Sequence, residues 1–108
     1  MNIENRYKVR KLIYKACAHV YCPLGKDWGV VDITAEIFPS EYLPDYLDID
    51  EYIKKEIEGS EHITEEVGYM VYDFIVEQIK PAAVYVDVHS NNDSMHDCVT
   101  TIGGHINE

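Results

Sequence analysis

The chain has 108 residues, 46% of them hydrophobic, with nine Tyr and one Trp. That is one small domain, residues 1–108, with enough apolar mass for a core; a disordered chain is excluded, and oligomerisation would help a core this modest. Nine Lys+Arg against twenty Asp+Glu give a formal charge of −11, which opposes autonomous binding to phosphate backbones.

In chain order, residues 7–20 mix basic and apolar side chains and read as a first strand. Pro23, Gly25, Asp27 and Gly29 mark a turn over 23–29. Val31, Ile33, Ala35 and Ile37 then alternate with Asp32, Thr34 and Glu36, the period of a half-buried strand that pairs with the first as a hairpin. Pro39 and Pro44 bracket a loop. A first helix follows, with Asp48 as N-cap and Glu51 three residues on as in a capping box. Its apolar face is Ile49, Tyr52, Ile53 and Ile57, and Gly59 ends it. A second helix has Thr64 as N-cap and Glu65 and Glu66 in the first turn. Val67, Met70, Val71, Phe74, Ile75 and Ile79 form its stripe, and Pro81 stops it. Val84, Val86 and Val88 alternate with Tyr85, Asp87 and His89 as a third strand. A turn at 91–94 leads to a fourth strand over 95–102, ended by Gly103-Gly104.

Strand, strand, helix, helix, strand, strand is the pattern of an α+β fold: an antiparallel sheet with both helices on one face. The other face and both edges are left uncovered, and self-association would hide them. No apolar run reaches the roughly 18–20 residues of a membrane helix, and residues 1–6 have no apolar signal core. Three Cys do not make a disulfide scaffold, so a cytoplasmic protein with reduced thiols is expected.

Cys22 stands at a strand end, before Pro23 and a glycine-containing turn, with His19 and Asp27 near in sequence. A thiol there is a nucleophile if a base lies near, or otherwise a small buried hydrophobe. Glu65, at a helix N-terminus, either stabilises that helix or accepts the paired N–H groups of a guanine-like edge. Cys17, His19 and Cys22, with His96 and Cys98 later, are zinc-ligand types, but their spacing is loose and no Cys-x-x-Cys pair supports a metal site. No phosphate-cradling glycine motif is present. Lys8, Arg10, Lys11 and Lys15 either protect an edge strand or form a local basic patch.

Cys22-Pro23, a polar turn, an alternating strand and Pro39 resemble the 7-cyano-7-deazaguanine reductase (QueF) family, and more closely its short QueF-like relatives. The resemblance continues through Ile49-Asp50-Glu51-Tyr52, the Thr64-Glu65-Glu66 helix start and Ile79-Lys80-Pro81, covering roughly residues 20–88. It implies a tunnelling fold, a two-strand, two-helix, two-strand unit that assembles into an oligomeric barrel with active sites between subunits. It implies that Cys22 attacks the nitrile carbon of 7-cyano-7-deazaguanine to give a covalent thioimide, and that Glu65 grips the deazaguanine edge. The reductases then deliver hydride from NADPH and carry a Glu-Ser-Lys-Ser-x-Lys-x-Tyr-like motif before the first helix. Here that region is Leu47-Asp48-Ile49-Asp50-Glu51-Tyr52-Ile53-Lys54-Lys55.

The QueF-like group also lacks that motif, and in it ammonia discharges the thioimide as a formamidine. No resident cofactor is therefore expected: ammonia is co-substrate and NADPH is not required. Two positions depart from the family. Its general acid/base Asp, seven residues after the Cys, is Gly29 here, so Asp27 is the substitute carboxylate. Its His before the glutamate is Thr64 here, with His62 two residues away as a helper. The charge of −11 favours the free base over a nucleic acid as substrate. The alternatives are a nitrile reductase, a zinc-dependent tunnelling-fold enzyme acting on a pterin or purine, and a non-catalytic deazapurine-binding subunit.

Overall fold

Period-two alternation builds the sheet. The computed structural model describes residues 3–91 and 98–106. Its elements are β1 (Ile3–Glu4), β2 (Leu12–Cys22), β3 (Asp27–Phe38), β4 (Tyr42–Leu43), α1 (Tyr46–Tyr52), β5 (Ser60–Glu61), α2 (Thr64–Ile79), β6 (Ala83–Asn91) and β7 (Cys98–His105). The main sheet has the order β5-β2-β3-β6-β7 and is antiparallel except for the short β2–β5 pair. β1 and β4 form a separate two-stranded ribbon.

The register puts Tyr14, Ala35 and Val86 in one row and Ala16, Ile33 and Val88 in the next. On that face Val31, Ile33, Ala35, Ile37, Val84, Val86 and Val88 are all buried. Val67, Val71, Ile75 and Ile79 of α2 and Ile49, Ile53 and Ile57 of the first helical segment close the core over it. Each such aliphatic side chain contributes about 1.5–3 kcal/mol when fully buried. The expected α+β unit with both helices on one face is what forms. α2 comes down closely at Gly68, where a Cβ would lie 2.9 Å from Ile102 Cδ1 and 3.2 Å from Val88 Cγ2. The opposite face carries Lys15, Cys17, Asp32, Thr34, Asp87 and His89 by alternation. No helix among the described residues is long and apolar enough to cross a membrane.

Several boundaries differ from the sequence reading, each for a local reason. Residues 7–11 are not strand. The Asn5 side chain accepts the Val9 N–H at 2.9 Å and donates to the Val9 carbonyl at 3.0 Å, folding a turn in which Lys8 has φ 56. The β2–β3 turn is shorter than expected, four residues, and Asp27 already belongs to β3. Asp45, not Asp48, caps α1, its Oδ1 accepting the Leu47 N–H at 3.0 Å. Asp48 instead accepts from Gln78 Nε2 at 2.9 Å and ties α1 to α2. Ile53–Ile57 continue the helix as a wider π-type turn.

Ile63, not Thr64, is the cap of α2; lacking a polar side chain, it leaves the capping to Glu66, which accepts its N–H at 3.0 Å. β7 runs through Gly103-Gly104 to His105 instead of stopping there. The expected start of that strand at Met95, most of the 91–94 turn and His96 lie outside the described residues.

Tyr14 is buried on β2 and donates its hydroxyl to Asp50 Oδ1. Burial first, and Asp50 second, hold its phenol well above the ordinary tyrosine range. A folded pKa raised in this way gives stability that is complete below the unfolded value, about 10, and is lost as pH climbs toward the folded one. Urea melts between about pH 8 and pH 11 are therefore expected to show stability falling above roughly pH 10. Tyr14→Phe should flatten that fall, leaving the smaller share from Tyr52, whose phenol is raised by burial, Glu56 and Asp73. An unchanged slope in the variant would remove Tyr14 as its source.

Candidate active site

Hairpin length decides where the carboxylate stands. The β2–β3 loop is Pro23-Leu24-Gly25-Lys26, closed by the Lys26 N–H on the Cys22 carbonyl at 2.7 Å, with Lys26 at φ 55. Cys22 and Asp27 are consequently direct cross-strand partners. Opposed residues share a face, with Cβ atoms roughly 4.5–5.5 Å apart. Gly29 lies opposite Val20, two residues further into the sheet. Position 29 is on the same face but diagonal to Cys22, one same-face pair further along, whereas position 27 is directly opposite it.

Cys22 is half-buried, and its Sγ accepts the Gly25 N–H at 3.4 Å. Asp27 is exposed, and its Oδ1 accepts the Trp28 N–H at 2.8 Å.

The other side of Cys22 is filled by the strap between the first helical segment and α2. Glu58 takes His19 with both carboxylate oxygens, from the backbone N–H at 3.0 Å and against Nδ1 at 3.2 Å. Gly59, at φ 76, donates its N–H to the His19 carbonyl at 2.7 Å. Ser60 and Glu61 then pair in parallel with Val20 and Tyr21. The His62 N–H donates to the Tyr21 carbonyl at 3.1 Å. Continuing that register sets His62 beside Cys22, so the cysteine lies between Asp27 on β3 and His62 on the strap.

Two residues further on, α2 starts at Thr64, with Glu65 exposed in its first turn. The His62 ring is four-fifths buried, and its Nδ1 is 3.7 Å from Glu66 Oε2, too long for a hydrogen bond. That nitrogen is buried without a hydrogen-bond partner among the described residues. The fold thus brings Cys22, Asp27, His62, Thr64 and Glu65 to one end of the sheet.

The sequence reading missed Glu58 and gave Glu66 only a helix-stabilising part. Glu66 carried a legible signal, being three residues after the cap. Glu58 carried none, because a two-residue parallel bridge is too short for periodicity. Of the zinc-ligand types, Cys17 and His19 alternate onto the sheet face opposite Cys22, and His96 lies outside the described residues. Among the described residues no group of three or more His, Cys, Asp or Glu could hold a metal.

The five-stranded sheet, covered on one face by two helices, has the tunnelling fold. No family model matches the sequence, and no curated protein does. Among solved structures, the chain is similar to the archaeosine synthase QueF-Like in the apo form, with a TM-score of 0.79 at 16% sequence identity. The match covers 88% of this chain and 93% of that one. It is a likeness of fold, and the chemistry is argued from the side chains.

Proposed function

We propose that this chain converts the nitrile of 7-cyano-7-deazaguanine to a formamidine with ammonia, through a covalent thioimide on Cys22. One observation carries the reading: Cys22 is paired across the hairpin with Asp27, and the strap that bonds to Tyr21 through the His62 N–H leads directly into the first turn of α2, where Glu65 stands. The fold likeness to an archaeosine synthase supports it.

The Cys22 thiolate adds to the nitrile carbon, and the nitrogen takes a proton from Asp27. Ammonia adds to the thioimide carbon and gives one proton back to Asp27, the C–S bond breaks, and Cys22 leaves as thiolate. The sum is nitrile plus ammonia giving amidine. Nothing is oxidised or reduced, so no hydride donor is needed, and ammonia is the co-substrate. Glu65 accepts the two N–H groups of the guanine-like edge, with the Thr64 hydroxyl and His62 beside it. The working form is a homo-oligomer with sites between copies. β5 covers the outer edge of β2 only at Val20 and Tyr21, which leaves edge for a second copy. The free base, not a nucleic acid, is the substrate, in line with the charge of −11.

Intact mass after mixing with 7-cyano-7-deazaguanine tests this. A gain equal to the whole ligand is expected, discharged by ammonium and not by NADPH. Discharge by NADPH would replace the reading with nitrile reduction, and reversible binding without an adduct would leave a binding subunit. Glu65→Gln is expected to weaken ligand binding about 10- to 100-fold, because one charge-assisted acceptor becomes an N–H donor facing a donor. Adduct formation should survive at saturating ligand. Calorimetry gives the first quantity and mass the second; an unchanged affinity would remove Glu65 from the site.

A further inference from the structure

We propose that the groove at the end of the sheet opposite Cys22 binds a small phosphate ester of the nucleoside-monophosphate class. It has a volume of about 620 Å³ and lies between the chain entering β2 and the chain leaving β3. Lys11 lines it immediately before β2 begins, and Cys22 ends β2, about 36 Å away at the rise of a strand. The groove is separate from the site already described.

Its charge is out of character for the molecule. Among the described residues Lys8, Arg10 and Lys11 line it and no carboxylate does, in a chain of net charge −11. Lys11 is engaged, with Nζ 2.7 Å from Glu36 Oε1 and 5.9 Å from the centroid of the Phe38 ring. Lys8 and Arg10 are exposed and have no ion-pair partner among the described residues. Two free cations match one phosphate dianion, with Arg10 able to bind it through two N–H groups.

The groove is also built in advance. Asn5 holds its two walls together, bonding both backbone groups of Val9 and donating to the Ser40 carbonyl at 3.1 Å. The Asn5 N–H adds a bond to the Glu41 carbonyl at 3.0 Å. Lys8 is kept left-handed at φ 56, a conformation unfavourable for a lysine that persists where the surroundings impose it. A rigid site spares the ligand the cost of ordering it. The rest of the lining is apolar, Phe38 and Pro39 chief in it, and suits a flat ring system attached to the phosphate. The volume lies inside the roughly 300–1,000 Å³ of small-molecule sites. A long polyanion is disfavoured, because Glu4, Glu36 and Glu41 adjoin the groove in sequence or pairing and the remaining surface is acidic.

Titration calorimetry with adenosine monophosphate on the full chain tests this, using Lys8→Glu and Arg10→Glu, with Lys55→Glu as a control that changes net charge equally elsewhere. Thermal melts check that all three stay folded. Saturable binding is expected, weakened about tenfold or more by each groove variant and little by the control. Inorganic phosphate should bind more weakly than the nucleotide. A single-stranded oligonucleotide should gain nothing with length. Absence of nucleotide binding would overturn the proposal, as would equal losses in Arg10→Glu and Lys55→Glu. Phosphate binding as tightly as the nucleotide would leave the apolar lining no part and reject the ligand class. Affinity rising with oligonucleotide length would make the groove a polymer track instead.

Discussion

Cys22→Ala is expected to remove the covalent adduct entirely and to lower ammonium-dependent turnover by roughly a thousandfold or more. The size follows from what the sulfur does. In the proposed mechanism it forms the bond to the nitrile carbon, and neither Asp27 nor His62 can replace a thiolate as nucleophile and leaving group. Binding should hardly change, because in the proposed site the deazaguanine edge is held by Glu65 on another element. Stability should change by less than about 1 kcal/mol, because the thiol is half-buried at the end of a strand and makes only the 3.4 Å contact with the Gly25 N–H. The three readouts are intact mass, turnover with ammonium, and a calorimetric Kd. Full turnover in the variant would end the thioimide mechanism. Loss of turnover together with loss of binding would place the sulfur in the ligand pocket without making it the nucleophile.

The residues that made this experiment readable from sequence are those whose signals are local. Alternation at 31–37 and 84–88 and the α2 stripe depend on which side chains must leave water; both strand stripes are buried as read, and so is the helix stripe except at Met70 and Phe74, which are half-buried. Cys22 and Asp27 were legible as chemistry but not as a pair. A turn read as ending at Gly29 leaves Asp27 in the loop; in the folded hairpin Lys26 adopts a left-handed conformation and closes the turn after four residues, putting Asp27 across from Cys22.

Left-handed lysines at 8, 26 and 80 are imposed by tertiary structure against residue preference, so sequence punctuation does not report them. The turn after β1 depends on a side chain, Asn5, replacing backbone partners, and mixed basic and apolar residues conceal it. His62 reaches Cys22 through a parallel bridge whose partners are about forty residues apart, a separation that local pattern does not carry.

Gly103-Gly104 read as a stop, yet β7 passes through both, and the two glycines do different things. Gly103 has φ 129, and a Cβ there would stand 2.0 Å from the Val84 carbonyl oxygen and 3.1 Å from Tyr85 Cα. Those are backbone atoms of β6, the strand it pairs with, and they cannot swing aside as a side-chain tip could. Gly104 has φ 151 and nothing within 4 Å of where its Cβ would be. Gly103→Ala is therefore expected to cost about 3–4 kcal/mol, from a left-handed extended backbone combined with a clash, and Gly104→Ala about 1 kcal/mol, from backbone conformation alone.

Urea melts of the two variants give the comparison. Equal losses would mean that β7 shifts freely on β6 and that the close approach is not fixed. The effect should also reach the candidate site. Ile102, next to Gly103, is the side chain against which Gly68 seats the beginning of α2, and Glu65 stands one turn before Gly68. A β7 displaced at Gly103 unseats that turn, so ligand affinity should fall in Gly103→Ala, at temperatures where it remains folded, and hold in Gly104→Ala.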